Sequence, residues 1–486
     1  MTGTSSEGLP PGAAPWCKPI CDDPILKMGL VELSKAIKTK QVSCAEVMDA
    51  TLSRIDEVNP KINAIIRPVD PDALRANARQ RDADLTAGNW RGPLHGVPQA
   101  PKDVLPVAGM VTTRGSPLFL DNIAAESAVS NQRLVDAGAV IIGRTNTPEF
   151  GLGGHTFNTV YGATSNAGSP QLSAGGSSGG AAAALASNIL PCADGTDMMG
   201  SLRTPAAFNQ VYGLRTTPGL VPHGPGTEVF WQQFSVTGPM ARNAEDLALM
   251  LSIQSGPDRR LPLSIAYDAT AQPTLPREDG RKRIGWLGNL GGYLAMDDGL
   301  LQTAGDAAQN FVKAGHHLDT ARIDFDMAAL WEAWITLRSF AVAGGNAPLY
   351  RDAKKRPFLK EEAIWEIERG LALTSSEIFN AATVRSAFYQ EMVRLFGQFD
   401  YLVLPSAQVF PFSIGTTWPK AIDYVKMDTY HRWMEVTVPA TMAGLPALSV
   451  PAGLASNGLP VGLQIIGQPW KDFELAALGK CFDQEV

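Results

Sequence analysis

Only five of the 486 residues are cysteine, at positions 17, 21, 44, 192 and 481, an odd number and mostly far apart. That argues against a disulfide framework and makes a reducing cytoplasm the expectation. Cys17 and Cys21 could begin a metal site, but no Cys/His pair follows at zinc spacing. Basic charge is short too: 41 Lys and Arg face 48 Asp and Glu, for a net charge of −7. A nucleic-acid binder needs a basic stripe to release counterions, and an anionic membrane attracts the same residues, so neither is an expected partner. No apolar run approaches the roughly 18 residues of a membrane span. The first stretch, "MTGTSSEGLPPGAAPW", has neither a basic nor an apolar leader segment and reads as a loose polar arm over residues 1–27. Internal repeats and low-complexity linkers are also lacking.

What is present is a large apolar fraction, 45%, with only 18% charged residues, which excludes global disorder. The 47 glycines and 35 prolines are spread along the chain and imply many turns. Helix is expected over 28–60, where Ser43–Glu46 forms a capping box and Asn59-Pro60 stops the element. Another helix is expected over about 71–87. "RLVDAGAVIIGRTN" then reads as a helix end, a glycine turn and a buried strand at Val140–Ile142. Further helices are expected at Ala181–Leu190 and Glu245–Ile253, and a strand at Arg283–Leu287. Residues 299–399 read as mainly helical. A second capping box, Thr374–Glu377, opens a helix whose Val384, Phe388, Met392, Leu395 and Phe399 form one apolar stripe, the pattern of a core-facing helix. "YLVLP" at 401–405, "ALSVP" and "VGLQIIG" read as buried strands. Alternation of this kind predicts an α/β fold: one large domain, with a central mixed sheet flanked by helices.

The stretch "AGGSSGGAAAA" at 174–184 carries the chemical question. Gly175, Ser177 and Gly179 match G-x-S-x-G, the nucleophile elbow, which needs a histidine base. Six histidines exist, at 95, 155, 223, 316, 317 and 431, and none has a marked context. "SPQLSAGG" before Ser177 is loop-like where an elbow needs a strand. A phosphate loop lacks its Gly-Lys-Ser/Thr ending, although glycines before a helix could still hold an anion in a non-catalytic binding protein. Another candidate pair is Ser201, in "DGTDMMGSLRTP", and Lys102, in "GVPQAPKDVLPVAG". Among Pro98, Pro101, Val104 and Val107 the charged form of Lys102 is disfavoured, so the side chain could act as a neutral base. A surface lysine snorkelling out of a proline-rich loop is the plain alternative.

These blocks together resemble the amidase signature family. The resemblance covers about 28–255 and 400–478. It rests on "GGSSGGAAAALAS", "DGTDMMGSLRTPAAFNQVYGLRTTPGLVP", "GPLHGVPQAPKDVLPVAGMVTTRGS", "GAVIIGRTNTPEFG", "SVTGPMARNAEDLALML" and "AGLPALSVPAGLASNGLPVGLQIIGQP". It implies a domain over 28–486 with a variable, mainly helical region at about 299–430. It further implies Ser201 as nucleophile, Ser177 as a bridging serine after a cis peptide bond, and Lys102 as base. Backbone N–H groups of Met198, Met199, Gly200 and Ser201 are the implied oxyanion hole, and Ser178, Asp197 and Arg203 the implied support. Neither metal nor organic cofactor is required. One departure is notable: Met199 stands where many members have the first glycine of a pair. A side chain there is costly if the position needs φ > 0.

By the same resemblance the expected partner is a small-molecule amide or carbamate, and a homodimer is left open. The favoured activity is hydrolysis of hydrophobic or aryl amides and anilides, with urethane bonds as an extension. Phe325, Trp331, Trp334, Phe340, Trp365, Phe379 and Phe388 are candidates for core or for an apolar pocket wall. The family alternative is an A-subunit-like glutamine amidotransferase working with partner subunits.

Overall fold

Eight strands run through the centre of the molecule in the computed structural model, which describes residues 13–226, 228–231, 233–266, 275 and 280–483. They are β1 (Cys192–Asp197), β2 (Tyr212–Arg215), β3 (Val236–Ala241), β4 (Arg283–Trp286), β5 (His317–Thr320), β6 (Tyr401–Pro405), β7 (Ala447–Leu454) and β8 (Pro460–Ile466). The order across the sheet is β5-β4-β6-β8-β7-β2-β3-β1. β4 pairs in parallel with β5 and β6, and every other neighbour is antiparallel, so the sheet is mixed.

Both faces are covered by helices, which explains the unbroken apolar runs in the strands. In β6 the alternation is direct. Leu402 and Leu404 face a core shared with Trp331, Trp334, Phe388 and Met392, while Tyr401 and Val403 face one shared with Ala304, Ala308 and Phe311. Phe388, Met392, Leu395 and Phe399 are buried as the stripe requires, and Val384 packs beside them.

The helices follow their sequence signals closely. α1 (Leu30–Lys38) and α2 (Cys44–Ile62) divide the expected 28–60 segment, and the Ser43–Glu46 capping box starts α2. Pro60 does not stop α2, a correction to the sequence reading. The helix runs to Ile62 with Pro60 inside its last turn, and Asn63 ends it in the left-handed region at φ +50°. Asn59 takes over the exit by accepting the N–H groups of Ala64 and Ile65. α3 (Pro71–Thr86), α4 (Gly179–Ala186), α5 (Arg203–Asn209) and α6 (Ala244–Gln254) follow.

The segment 299–430 holds α7 (Leu300–Lys313), α8 (Met327–Arg351), α9 (Glu361–Ala372) and α10 (Ser375–Phe396), the last begun by the Thr374–Glu377 capping box. It also supplies β5 and β6, so it is woven into the central sheet. Residues 1–12 of the expected arm lie outside the described residues. From there on the chain is held to the body: Trp16 N–H donates to Gly458 O and Cys17 N–H to Gly168 O. Among the described residues no helix is long and apolar enough to cross a membrane.

Candidate active site

β1 forms an edge of the sheet and carries the site. Its period of two puts Asp194 and Thr196 on one face and Asp197 on the other. On the first face lies Lys102, whose loop leaves the short parallel ladder Pro98–Gln99/Val140–Ile141. Lys102 N–H donates to Asp194 Oδ1 at 3.1 Å, and its carbonyl accepts from Arg144 Nη2 at 3.0 Å. These bonds aim the side chain inward, where it is fully buried. Nζ meets three hydroxyl oxygens: Ser177 Oγ at 2.7 Å, Ser178 Oγ at 2.9 Å and Thr196 Oγ1 at 2.9 Å. Desolvation pushes the ammonium down to about 7, against the pull of Asp194 and Asp197. The same burial raises the Asp194 carboxyl to about 6, countered by Arg144 and Lys102. The snorkelling alternative is thereby removed.

Ser177 and Ser178 enter from the glycine-rich loop, with a cis peptide bond at Gly176-Ser177. α4 begins immediately afterwards and is buried on every side, which its alanines allow. At Gly180 a Cβ would lie 2.4 Å from Asn146 N and 2.8 Å from Ala64 O, so only glycine lets α4 approach that backbone. Ser178 N–H donates to Ser201 O at 3.1 Å, tying the two serine loops together.

On the other face of β1, Asp197 organises the loop 198–202. Its carboxylate accepts from Gly200 N–H at 2.9 Å, Leu202 N–H at 3.2 Å, and Arg203 Nε and Nη2 at 3.0 and 2.9 Å. Arg215 stands 3.6 Å away. Burial works to raise this carboxyl, but Arg203, Arg215 and the hydrogen bonds outweigh it and hold it well below the usual carboxylate range. Arg203 is fully buried; besides Asp197 it donates to Thr437 O, Gln464 Oε1 and Thr441 Oγ1.

The positive φ in this loop falls on Gly200, at +82°, and Met199 is not among the residues with positive φ. The methionine is therefore accommodated without backbone strain. One expected oxyanion donor is corrected: the Gly200 N–H is committed to Asp197. The N–H groups of Met198, Met199 and Ser201 have no hydrogen-bond partner among the described residues.

Ser177, Thr196, Met198, Met199 and Ser201 open on one cavity of about 790 Å³. Ser201 Oγ has no partner there among the described residues. No histidine is hydrogen-bonded to Ser177 or Ser201 among the described residues, so G-x-S-x-G finds no base. His155 is held by Ser173 Oγ and Ile414 O, and burial pushes it down to about 4. His223 lines the cavity, with Nδ1 3.0 Å from Thr237 Oγ1.

The aromatic candidates divide between core and cavity wall. Of the seven candidates only Phe340 lines the cavity; Phe150, Trp231 and Phe234 supply the rest. Trp331, Trp334 and Phe388 are core, Phe325 packs on Phe388, and Phe379 is exposed. Sequence reasoning also missed Thr196, Asp194 and Arg144. The first two were recoverable from two-residue spacing in the "DGTD" strand.

The Amidase family profile matches residues 46–476. The chain is similar to an acylamidase of Rhodococcus erythropolis, at 33% identity with 92% of each chain covered. It is equally similar, at 33% identity, to the A subunit of a glutamyl-tRNA(Gln) amidotransferase of Ralstonia nicotianae, covering 94% of this chain and 97% of the relative. Among solved structures, a bacterial aryl acylamidase of the amidase signature enzymes superposes with a TM-score of 0.88 at 28% identity, covering 95% and 96% of the two chains. An α/β body built on this sheet is the fold of that class of hydrolases. The chain belongs to the amidase signature family, and it is an amide-hydrolysing enzyme.

Proposed function

We propose that this amidase hydrolyses hydrophobic and aryl amides by itself, through an acyl-enzyme on Ser201, with Lys102 as base and Ser177 as bridge. The observation that carries this reading is the 2.7 Å contact from buried Lys102 to Ser177 beside a cavity into which Ser201 opens. An ammonium donates to all three surrounding hydroxyls. A neutral amine has two N–H groups and one lone pair, so it donates to two and accepts a proton from the third. Ser177 makes the shortest of these contacts and takes the Ser201 proton as that serine attacks, through a hydrogen bond that the resting site lacks and the substrate complex forms. Ser201 Oγ attacks the carbonyl carbon. The N–H groups of Met198, Met199 and Ser201, unpartnered among the described residues, are the donors we assign to the developing oxyanion, where one donor is worth about 3–4 kcal/mol. The proton returns through Ser177 to the departing amine, and water repeats the relay to release the acid.

Ser178 and Thr196 fix Nζ, while Asp197 and Arg203 keep the 198–202 loop in shape. The apolar wall of Phe150, Phe234 and Phe340 suits an aryl group. A carbamate carbonyl fits the same nucleophile and its alcohol needs less protonation, so urethanes extend the range. The test is turnover of 4-nitroacetanilide and of an aryl carbamate, with Lys102→Ala and Ser201→Ala as controls; near-normal turnover in either variant overturns the assignment. The likeness to amidotransferase A subunits favours a second reading, glutamine hydrolysis with partner subunits. Anilide turnover by the isolated chain, with glutamine untouched, rejects it.

A further inference from the structure

Two side-chain-bearing residues that line the cavity, Arg114 and Phe150, have positive φ, +56° and +55°. Backbone of this kind is costly for such residues and tends to persist where a site requires it. The two are bonded to each other, Phe150 N–H donating to Arg114 O at 2.8 Å, and Arg114 N–H donates to Asp103 O at 2.9 Å. The Arg114 guanidinium lies over Phe119 at 5.5 Å and over Phe150 at 5.3 Å. Among the described residues it forms neither a hydrogen bond nor an ion pair. The other cavity arginines differ: Arg338 is paired with Glu366, and Arg385 donates to Met442 O. Glu228, the one carboxylate lining the cavity among the described residues, accepts the N–H groups of Phe230 and Trp231. A largely desolvated cation held against two rings and offered no anion by the described residues is set to receive one.

The Phe150 ring that Arg114 covers belongs to the segment beside Ser177. Gly151 follows Phe150, and its Cβ direction ends 3.7 Å from Ser177 Oγ. Ser177 is the group that hands the proton to the leaving amine. We propose that Arg114 is a specificity residue for a carboxylate carried on the amine half of the substrate, so that N-acyl aminobenzoates are favoured over neutral anilides. The proposal rests on the amide-hydrolase reading above.

Binding and turnover separate the two claims. In the Ser201→Ala chain, 4-aminobenzoate is expected to bind at least tenfold tighter than its methyl ester by calorimetry. Adding Arg114→Met brings the ratio to about one, and Arg114→Lys keeps part of it. A parent ratio of one or less overturns the proposal, as does a ratio that survives both Arg114→Met and Arg114→Gln in folded protein. A ratio lost in Arg385→Met but kept in Arg114→Met overturns it too. Turnover is read separately, as hydrolysis of acetanilide and of 4-acetamidobenzoate by the unmodified chain. Absence of both sinks the hydrolase reading without touching the binding ratio.

Discussion

Replacing Lys102 by methionine should stabilise the protein progressively as pH falls from about 10.5 to about 7. The folded environment lowers the lysine from 10.5 to about 7 because the buried ammonium loses its hydration. At about 1.4 kcal/mol per pH unit, that gap amounts to about 5 kcal/mol. Between those values the unfolded chain binds a proton that the folded chain does not, so wild-type stability rises with pH across the window. Below about 7 both states are protonated and the penalty is complete. Methionine removes the titration but also the three hydroxyl contacts, a loss that does not depend on pH. Urea unfolding of both proteins at pH 6, 8 and 10 isolates the pH-dependent part. The difference should move by about 4 kcal/mol in favour of Lys102→Met between pH 10 and pH 6, since pH 10 still lies below 10.5. A difference constant from pH 6 to 10 refutes a desolvated Lys102.

With Lys102 as the proposed base, kcat/KM should fall about tenfold per pH unit below about 7. A flat profile between pH 5 and 8 argues against it. Asp197→Ala leaves Arg203 and Arg215 buried without their carboxylate, so a loss of about 3–5 kcal/mol in unfolding free energy is expected. Gly200→Ala puts a Cβ 2.7 Å from Thr437 Cγ2 at φ +82°, which should lower kcat through the 198–202 loop far more than it raises KM. Ser201→Ala should reduce anilide turnover by at least about a thousandfold, read as released aniline.

Where periodicity and capping decide the outcome, the sequence was legible. Both capping boxes start helices, and "YLVLP" is a strand buried on both faces. The exit of α2 was not, because Pro60 removes one N–H in a last turn that Asn59 and Asn63 can finish. Lys102, Ser177 and Ser201 stood out only through blocks of motif. Their residue types alone favoured a surface lysine and a glycine turn. Asp194 and Thr196 carry only the two-residue spacing of their strand as a signal, and nothing in the sequence neighbours of Arg144 marks it. Which aromatics are core and which are wall was hidden for a similar reason: Trp331 and Trp334 fill the core, while Phe150 and Phe234 reach the cavity from outside 299–430.

The central claim is that Ser201, and not Ser177, carries the acyl group. Treating the chain with a fluorophosphonate and mapping the adduct by peptide mass spectrometry tests it most directly. The account predicts a single adduct on Ser201, abolished in Ser201→Ala and slowed in Lys102→Ala. An adduct on Ser177, or labelling that survives Ser201→Ala, contradicts it.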